Sequence, residues 1–85
     1  MNGAVEKNPE KRLRTLQELT NKYPKEKLAH SNLGRHFLAV GRLPEAAGEL
    51  TLALDLDPDY GPALNSLAYT YMEMDEFEKA AANFR

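Results

Sequence analysis

Residues 30–37 read HSNLGRHF, and residues 64–71, 34 positions further on, read LNSLAYTY. Leu33 falls on Leu67, Gly34 on Ala68 and Phe37 on Tyr71, large on large and small on small. The same offset carries Pro24 onto Pro58, Leu43 onto Phe77, Ala46 onto Ala80 and Leu50 onto Phe84. Size class kept at this many positions marks an internal repeat, and a period of this length means stacked supersecondary units.

Within each unit the period is helical. Leu64, Leu67, Ala68, Tyr71 and Met74 step by three or four residues and define one face of a helix. In the preceding unit that face carries His30, Leu33, Gly34, Phe37 and Val40, and a second helix turns Ala46, Ala47, Leu50, Ala53 and Leu54 inward. An earlier helix opens at Asn8-Pro9 and carries Leu13, Leu16 and Leu19. Gly41 stands where a helix ends in a left-handed residue. Pro44 and Pro62 fall in first turns, where a missing N–H does no harm. Asp75 with Glu78 reads as an acidic capping pair, and Asp57-Pro58-Asp59 breaks the chain between units. The spacing predicts helices over about 9–22, 26–40, 44–56, 61–73 and 76–85. Loops this short make sequence neighbours antiparallel neighbours in space.

Composition agrees with one small domain. The chain has 85 residues and a formal charge of −2, from 11 basic and 13 acidic side chains, which argues against nucleic acid as the main partner. Residues 1–27 hold seven Lys/Arg and four Glu, a local +3, and residues 28–85 hold four against nine, a local −5. There is no cysteine, so disulfides and thiolate zinc sites are excluded. The longest apolar run, Phe37 to Val40, is far too short to span a membrane. The N-terminus has no apolar stretch of the signal-peptide kind. A cytoplasmic location is only slightly favoured.

The stretch His30 to Phe37, followed by Ala46, Leu50, Ala53 and Pro58, resembles the tetratricopeptide-repeat pattern W-x-x-L-G-x-x-Y…A-x-x-x-F…A…P. A second copy carries Leu64, Leu67, Ala68, Tyr71, Ala80 and Phe84. His30 and Leu64 stand where the family often has Trp. Residues 9–24 look like the second helix of a preceding repeat, with Arg12 where a small residue is usual. The resemblance implies an all-α fold, a right-handed superhelix of antiparallel helix pairs with about five helices. Residues 1–8 are then a flexible N-terminal segment, 9–24 a half repeat, 27–60 a full repeat and 61–85 a truncated one. Gly34, Ala46 and Ala53, with Ala68 and Ala80, look like points of close helix approach. Phe77, Ala80, Ala81 and Phe84 on the last helix lack a following helix to cover them, which suggests a piece of a longer array and a possible homodimer through exposed terminal helices.

Beside each core stripe runs a second one: Leu28, Ser31, Arg35 and Leu38 in the first copy, and Pro62, Asn65, Tyr69 and Met72 in the second. In the resembling family the first helices line a concave surface and these positions face it. The expected peptide-binding residues are therefore Leu28, Ser31, Arg35, Leu38, Asn65, Tyr69 and Met72, with Tyr and Arg as anchors, Met as an adaptable contact and Asn65 for a peptide backbone. The competing expectation buries Leu38 and Met72 between helices and lays Arg35 over Tyr69. Some members of the family clamp the C-terminal carboxylate of a chaperone. Here Asn32 matches one clamp position, but Pro62 and Ser66 stand where Lys and Arg are wanted, so that ligand is not expected.

His30 and His36 are about 240° apart around a helix and cannot share a metal. Asp55, Asp57 and Asp59 lack the glycine and terminal Glu of an EF-hand loop. No nucleophile motif, phosphate loop or HExxH is present. The expectation is a protein-interaction scaffold that binds a peptide or partner helix, not an enzyme, with no cofactor and no metal. The rival is a structural spacer or self-assembly segment of a longer array.

Overall fold

The computed structural model describes residues 8–74, which form four α-helices: α1 (Pro9–Lys22), α2 (Lys27–Ala39), α3 (Leu43–Leu56) and α4 (Gly61–Glu73). The expected fifth helix, with Phe77 and Phe84, and the Asp75–Glu78 cap lie outside the described residues, as does the segment before Asn8.

Local chemistry sets each helix end. The Asn8 side chain accepts from the backbone N–H of Glu10 at 2.8 Å and of Lys11 at 3.3 Å, which satisfies two of the otherwise unpaired donors of a first turn. Gly41 takes a φ of 82°, a conformation that β-carbons disfavour, and so lets the chain leave α2. Its N–H donates to the Leu38 carbonyl, while that of Arg42 donates to Phe37. Pro44 and Pro62 lie in the first turns of α3 and α4. Between α3 and α4, Asp57 accepts from the Asp59 N–H at 3.2 Å and pairs with Lys27, whose ammonium also lies 4.7 Å from the Tyr60 ring. These contacts tie the start of α2 to the turn between units.

Packing follows the repeat. α2 and α3 form the most extensive interface, α3 meets α4, α1 packs on α2, and α2 touches α4. One apolar cluster joins Leu33, Phe37 and Ala46 with Leu13, Leu16 and Leu38 at its edge; another joins Leu50, Ala53, Ala63 and Leu67 with Leu54, Tyr60 and Tyr71. Burying one such Leu or Phe stabilises the fold by about 1.5–3 kcal/mol. The helices approach closely at Gly34: a β-carbon there would lie 2.8 Å from Leu50 Cγ and 3.3 Å from the Ala46 carbonyl oxygen.

Three departures from the expected core have simple causes. Val40 is 43% exposed, because it is the residue after the last turn of α2 and the chain has begun to leave the helix. Ala63 and Thr70, expected on no core stripe, are fully buried; they are seven residues apart on α4, a helix flanked by both α2 and α3. The Thr70 hydroxyl is satisfied within its own helix, donating to the Ser66 carbonyl at 2.7 Å.

His30, at the position of the family's Trp, is buried by a polar arrangement. Its Nδ1 lies 2.8 Å from Glu49 Oε1 on α3, and its Nε2 lies 2.8 Å from the Pro24 carbonyl before α2. Both partners are acceptors when Glu49 is ionised, so both ring nitrogens donate and the ring is an imidazolium. Burial pushes its pKa down, but the Glu49 hydrogen bond, the Pro24 carbonyl and the Glu49 charge outweigh burial, and the pKa lies above the ordinary value.

Candidate functional site

The expected binding residues divide between two helices with different surroundings. On α4, Asn65, Tyr69 and Met72 follow i, i+4, i+7 and are all exposed, Tyr69 by 52% and Met72 by 43%. Residues at this spacing share a helix face. Interaction with the Glu73 carboxylate one turn on, through side-chain hydrogen bonding first and then its charge, raises the Tyr69 phenol pKa above its usual value. An exposed aromatic, a thioether and a carboxamide on one face can hold an apolar side chain and a peptide amide together.

On α2 the expected set does not form one open stripe. Leu28 is 54% exposed, but Ser31 is only 1% exposed. With α1, α3 and α4 all packed against α2, a side chain as short as a hydroxymethyl is buried. Leu38 is half-buried against the Leu33–Phe37–Ala46 cluster. Arg35 is exposed and makes no hydrogen bond, ion pair or ring contact among the described residues. The stacking of Arg35 on Tyr69 that the competing expectation requires is not among the cation–π contacts of the described residues, which include Lys22 on Tyr23, Lys27 on Tyr60 and Arg42 on Phe37.

Arg35 lies instead beside an open depression between α1 and α2. Its walls are Arg12 and Leu16 from α1 and Asn32, Arg35, His36 and Ala39 from α2, around a volume of about 510 Å³. A smaller neighbour of about 190 Å³ includes Leu19, Tyr23, Leu28 and Asn32. His36 is nearly buried, and burial first, then the positive charges of Arg12 and Arg42, hold its pKa below the ordinary value. The α1–α2 depression was not anticipated from sequence. The signal for it was present in Arg12, a charge at a position that elsewhere in the repeat is Ala.

Among the described residues no group of three or more His, Cys, Asp or Glu is placed to hold a metal, and no helix is long and apolar enough to cross a membrane.

No family model matches the chain, and none of the curated proteins matches it. Solved structures of MamA do. MamA from AMB-1 superposes with a TM-score of 0.82 at 25% identity, covering 89% of this chain and 45% of that one. MamA from MSR-1 gives 0.82 at 26% identity, with 89% and 44% covered, and a MamA point mutant gives 0.77 at 28%, with 81% and 50% covered. The chain thus spans half or less of the length of each of these structures. What it shares with them is the architecture, an all-helical solenoid of the tetratricopeptide-like kind.

Proposed function

We propose that this chain is a protein-interaction module of the tetratricopeptide-repeat family, binding a partner's peptide segment through the first helices of its units. The observation that carries this reading is the exposed α4 face of Asn65, Tyr69 and Met72. An aromatic and a long apolar side chain left exposed side by side, next to a free carboxamide, are more use to a ligand than to the core. Leu28, Arg35 and the edge of Leu38 extend the contact surface on α2. The solenoid architecture supports the same reading, since stacked helix pairs present extended surfaces for binding. Reaction chemistry has no support among the described residues, where His30 and Glu49 are engaged in a structural bridge.

The test is selection of peptides from a random displayed library on the wild-type chain, followed by titration of the best binders. Tyr69→Ala should weaken them roughly tenfold or more, as expected for an interface anchor, and Asn65→Ala by less. Leu52→Ser on the outer face of α3 serves as control and should leave affinity unchanged. Peptides that bind the Tyr69→Ala and Met72→Ala variants as well as wild type would refute the assignment of the α4 face.

A further inference from the structure

The chain passes from one unit to the next at two turns that the 34-residue offset superimposes, residues 23–26 between α1 and α2 and residues 57–60 between α3 and α4. Their backbones match: the Glu26 N–H donates to the Tyr23 carbonyl and the Tyr60 N–H to the Asp57 carbonyl, each at 3.1 Å. What ties each turn to the rest of the molecule differs. The second turn is held by the pair of Asp57 and Lys27. Their mutual hydrogen bond lowers the Asp57 pKa and raises that of Lys27, so this tie does not titrate near neutrality. The first turn is held through His30, whose Nε2 lies 2.8 Å from the Pro24 carbonyl and whose Nδ1 lies 2.8 Å from Glu49 on α3. The offset places Leu64 at the position of His30, and an aliphatic side chain offers the second turn no such bond.

The first tie depends on a proton. A ring between two acceptors needs two N–H groups, and the neutral ring has one. The surroundings decide which acceptor loses its donor. A proton kept on Nε2 would set the bare lone pair of Nδ1 against a carboxylate oxygen. A proton kept on Nδ1 preserves the charge-assisted bond, the stronger of the two. It leaves the carbonyl of Pro24, an exposed residue, to take water instead. The charges around the ring leave Glu49 in control. Lys27 is engaged by Asp57 and Glu45 by Arg42, while Lys22, Lys25 and Glu26 are exposed. α4 carries no charged residue before Glu73. After burial and hydrogen bonding, the charge that acts on His30 is that of Glu49; His36, on the same helix, answers to burial and then to Arg12 and Arg42.

We propose that the joint between α1 and α2 is a proton-controlled latch: when Nε2 of His30 gives its proton to solvent, the neutral ring stays with Glu49, the Pro24 carbonyl is released and the turn at 23–26 loosens, while the turn at 57–60 keeps its tie. The folded pKa of His30 lies above 6.5, so the latch is closed below that value and opens as pH rises through the folded pKa. The latch acts on the joint and does not depend on the peptide surface.

The two turns supply the assay and its internal control. Isotope-labelled chain is titrated by NMR from about pH 5 to about pH 9, the range in which histidine charge changes. Long-range proton–nitrogen correlations of the imidazoles, assigned with a His36→Gln chain, should show both His30 nitrogens protonated at the acid end and Nδ1 alone protonated at the alkaline end. Exchange of the Glu26 amide with water, taken as a ratio to the Tyr60 amide so that base catalysis cancels, should rise roughly fivefold across the same titration, the worth of one hydrogen bond. Glu49→Gln should move both changes to lower pH. His30→Gln, shown by circular dichroism to be folded, should give a ratio that does not vary with pH. A neutral ring protonated on Nε2, a ring that stays charged to the alkaline end, or a ratio that is constant in the wild-type chain overturns the proposal. A ratio that rises equally in His30→Gln overturns it too, and if that variant does not fold, the wild-type tautomer and the Glu49→Gln shift decide.

Discussion

Replacing Gly34 by Ala sets two measurable effects against each other. Gly34 lies in the interior of α2, where exchange of Gly for Ala alone stabilises a helix by about 0.8–1 kcal/mol. Against this, the added carbon falls 2.8 Å from Leu50 Cγ, 3.0 Å from Leu50 Cδ2 and 3.3 Å from the Ala46 carbonyl oxygen. Leu50 is fully buried and has no open space to turn into. The carbonyl belongs to the backbone of α3 and moves only if the helix moves. Overpacking of this kind costs about 1–3 kcal/mol, and with two rigid neighbours the upper half of that range applies. The net expectation is a loss of roughly 1–2 kcal/mol, or about 5–15 °C in Tm at this chain length. Urea and thermal unfolding followed by circular dichroism at 222 nm would measure it. Leu50→Ala removes the atoms in conflict, so the double variant should be more stable than the sum of the single effects by at least about 0.5 kcal/mol. A Gly34→Ala chain more stable than wild type, or strictly additive effects, would refute the close-approach reading. The next unit has Ala68 at this position, fully buried, so the prediction concerns the neighbours of Gly34 and not a rule for every unit.

Two further predictions concern the polar contacts. The His30 bridge has a raised folded-state pKa, so its contribution is fully present below the ordinary value of 6.5 and is lost as pH rises through the folded pKa. His36, whose pKa is lowered, acts in the opposite sense as pH falls through 6.5, so the bridge is best read as the difference between wild type and His30→Gln. That difference in urea midpoint should shrink between pH 5.5 and pH 8.5; a constant difference would refute the double-donor imidazolium, and Glu49→Gln should flatten it. Asn8→Ala removes the side-chain cap of α1 and should cost about 0.5–2 kcal/mol. Since α1 packs on α2 alone among the described helices, the loss should appear as faster amide exchange confined to the first turns of α1. Uniform acceleration across α3 would contradict that confinement.

The site was less legible in the sequence than the fold, and particular residues show why. The stripe Leu28, Ser31, Arg35, Leu38 was correct as a statement about one helix face, because side chains at that spacing share a face whatever surrounds them. Whether the face meets solvent depends on the helices packed around it. Ser31 is buried on a helix that three others pack against, the apolar cluster takes part of Leu38, and Arg35 sits beside α1. On α4 the corresponding positions Asn65, Tyr69 and Met72 stay open. The same offset arithmetic that aligned the units also paired Arg12 with Ala46. Only the packing shows that Arg12 borders an open depression while Ala46 is fully buried.

From the residues by themselves came the 34-residue period, the four described helices to within a residue or so at their ends, Asn8 as a cap, Gly41 as a left-handed exit, and a chain built of antiparallel helix pairs. These are set by interactions within one turn or one loop, and such interactions are written in neighbouring residues. Tertiary structure decided which of two polar histidine nitrogens meet Pro24 and Glu49, why Thr70 and Ala63 are buried, and on which flank of α2 the guanidinium of Arg35 lies. Each of these is a meeting between elements that the periodicity of a single helix cannot position, because rotation and offset of one helix against the next are set by the sum of all the side chains at their shared face.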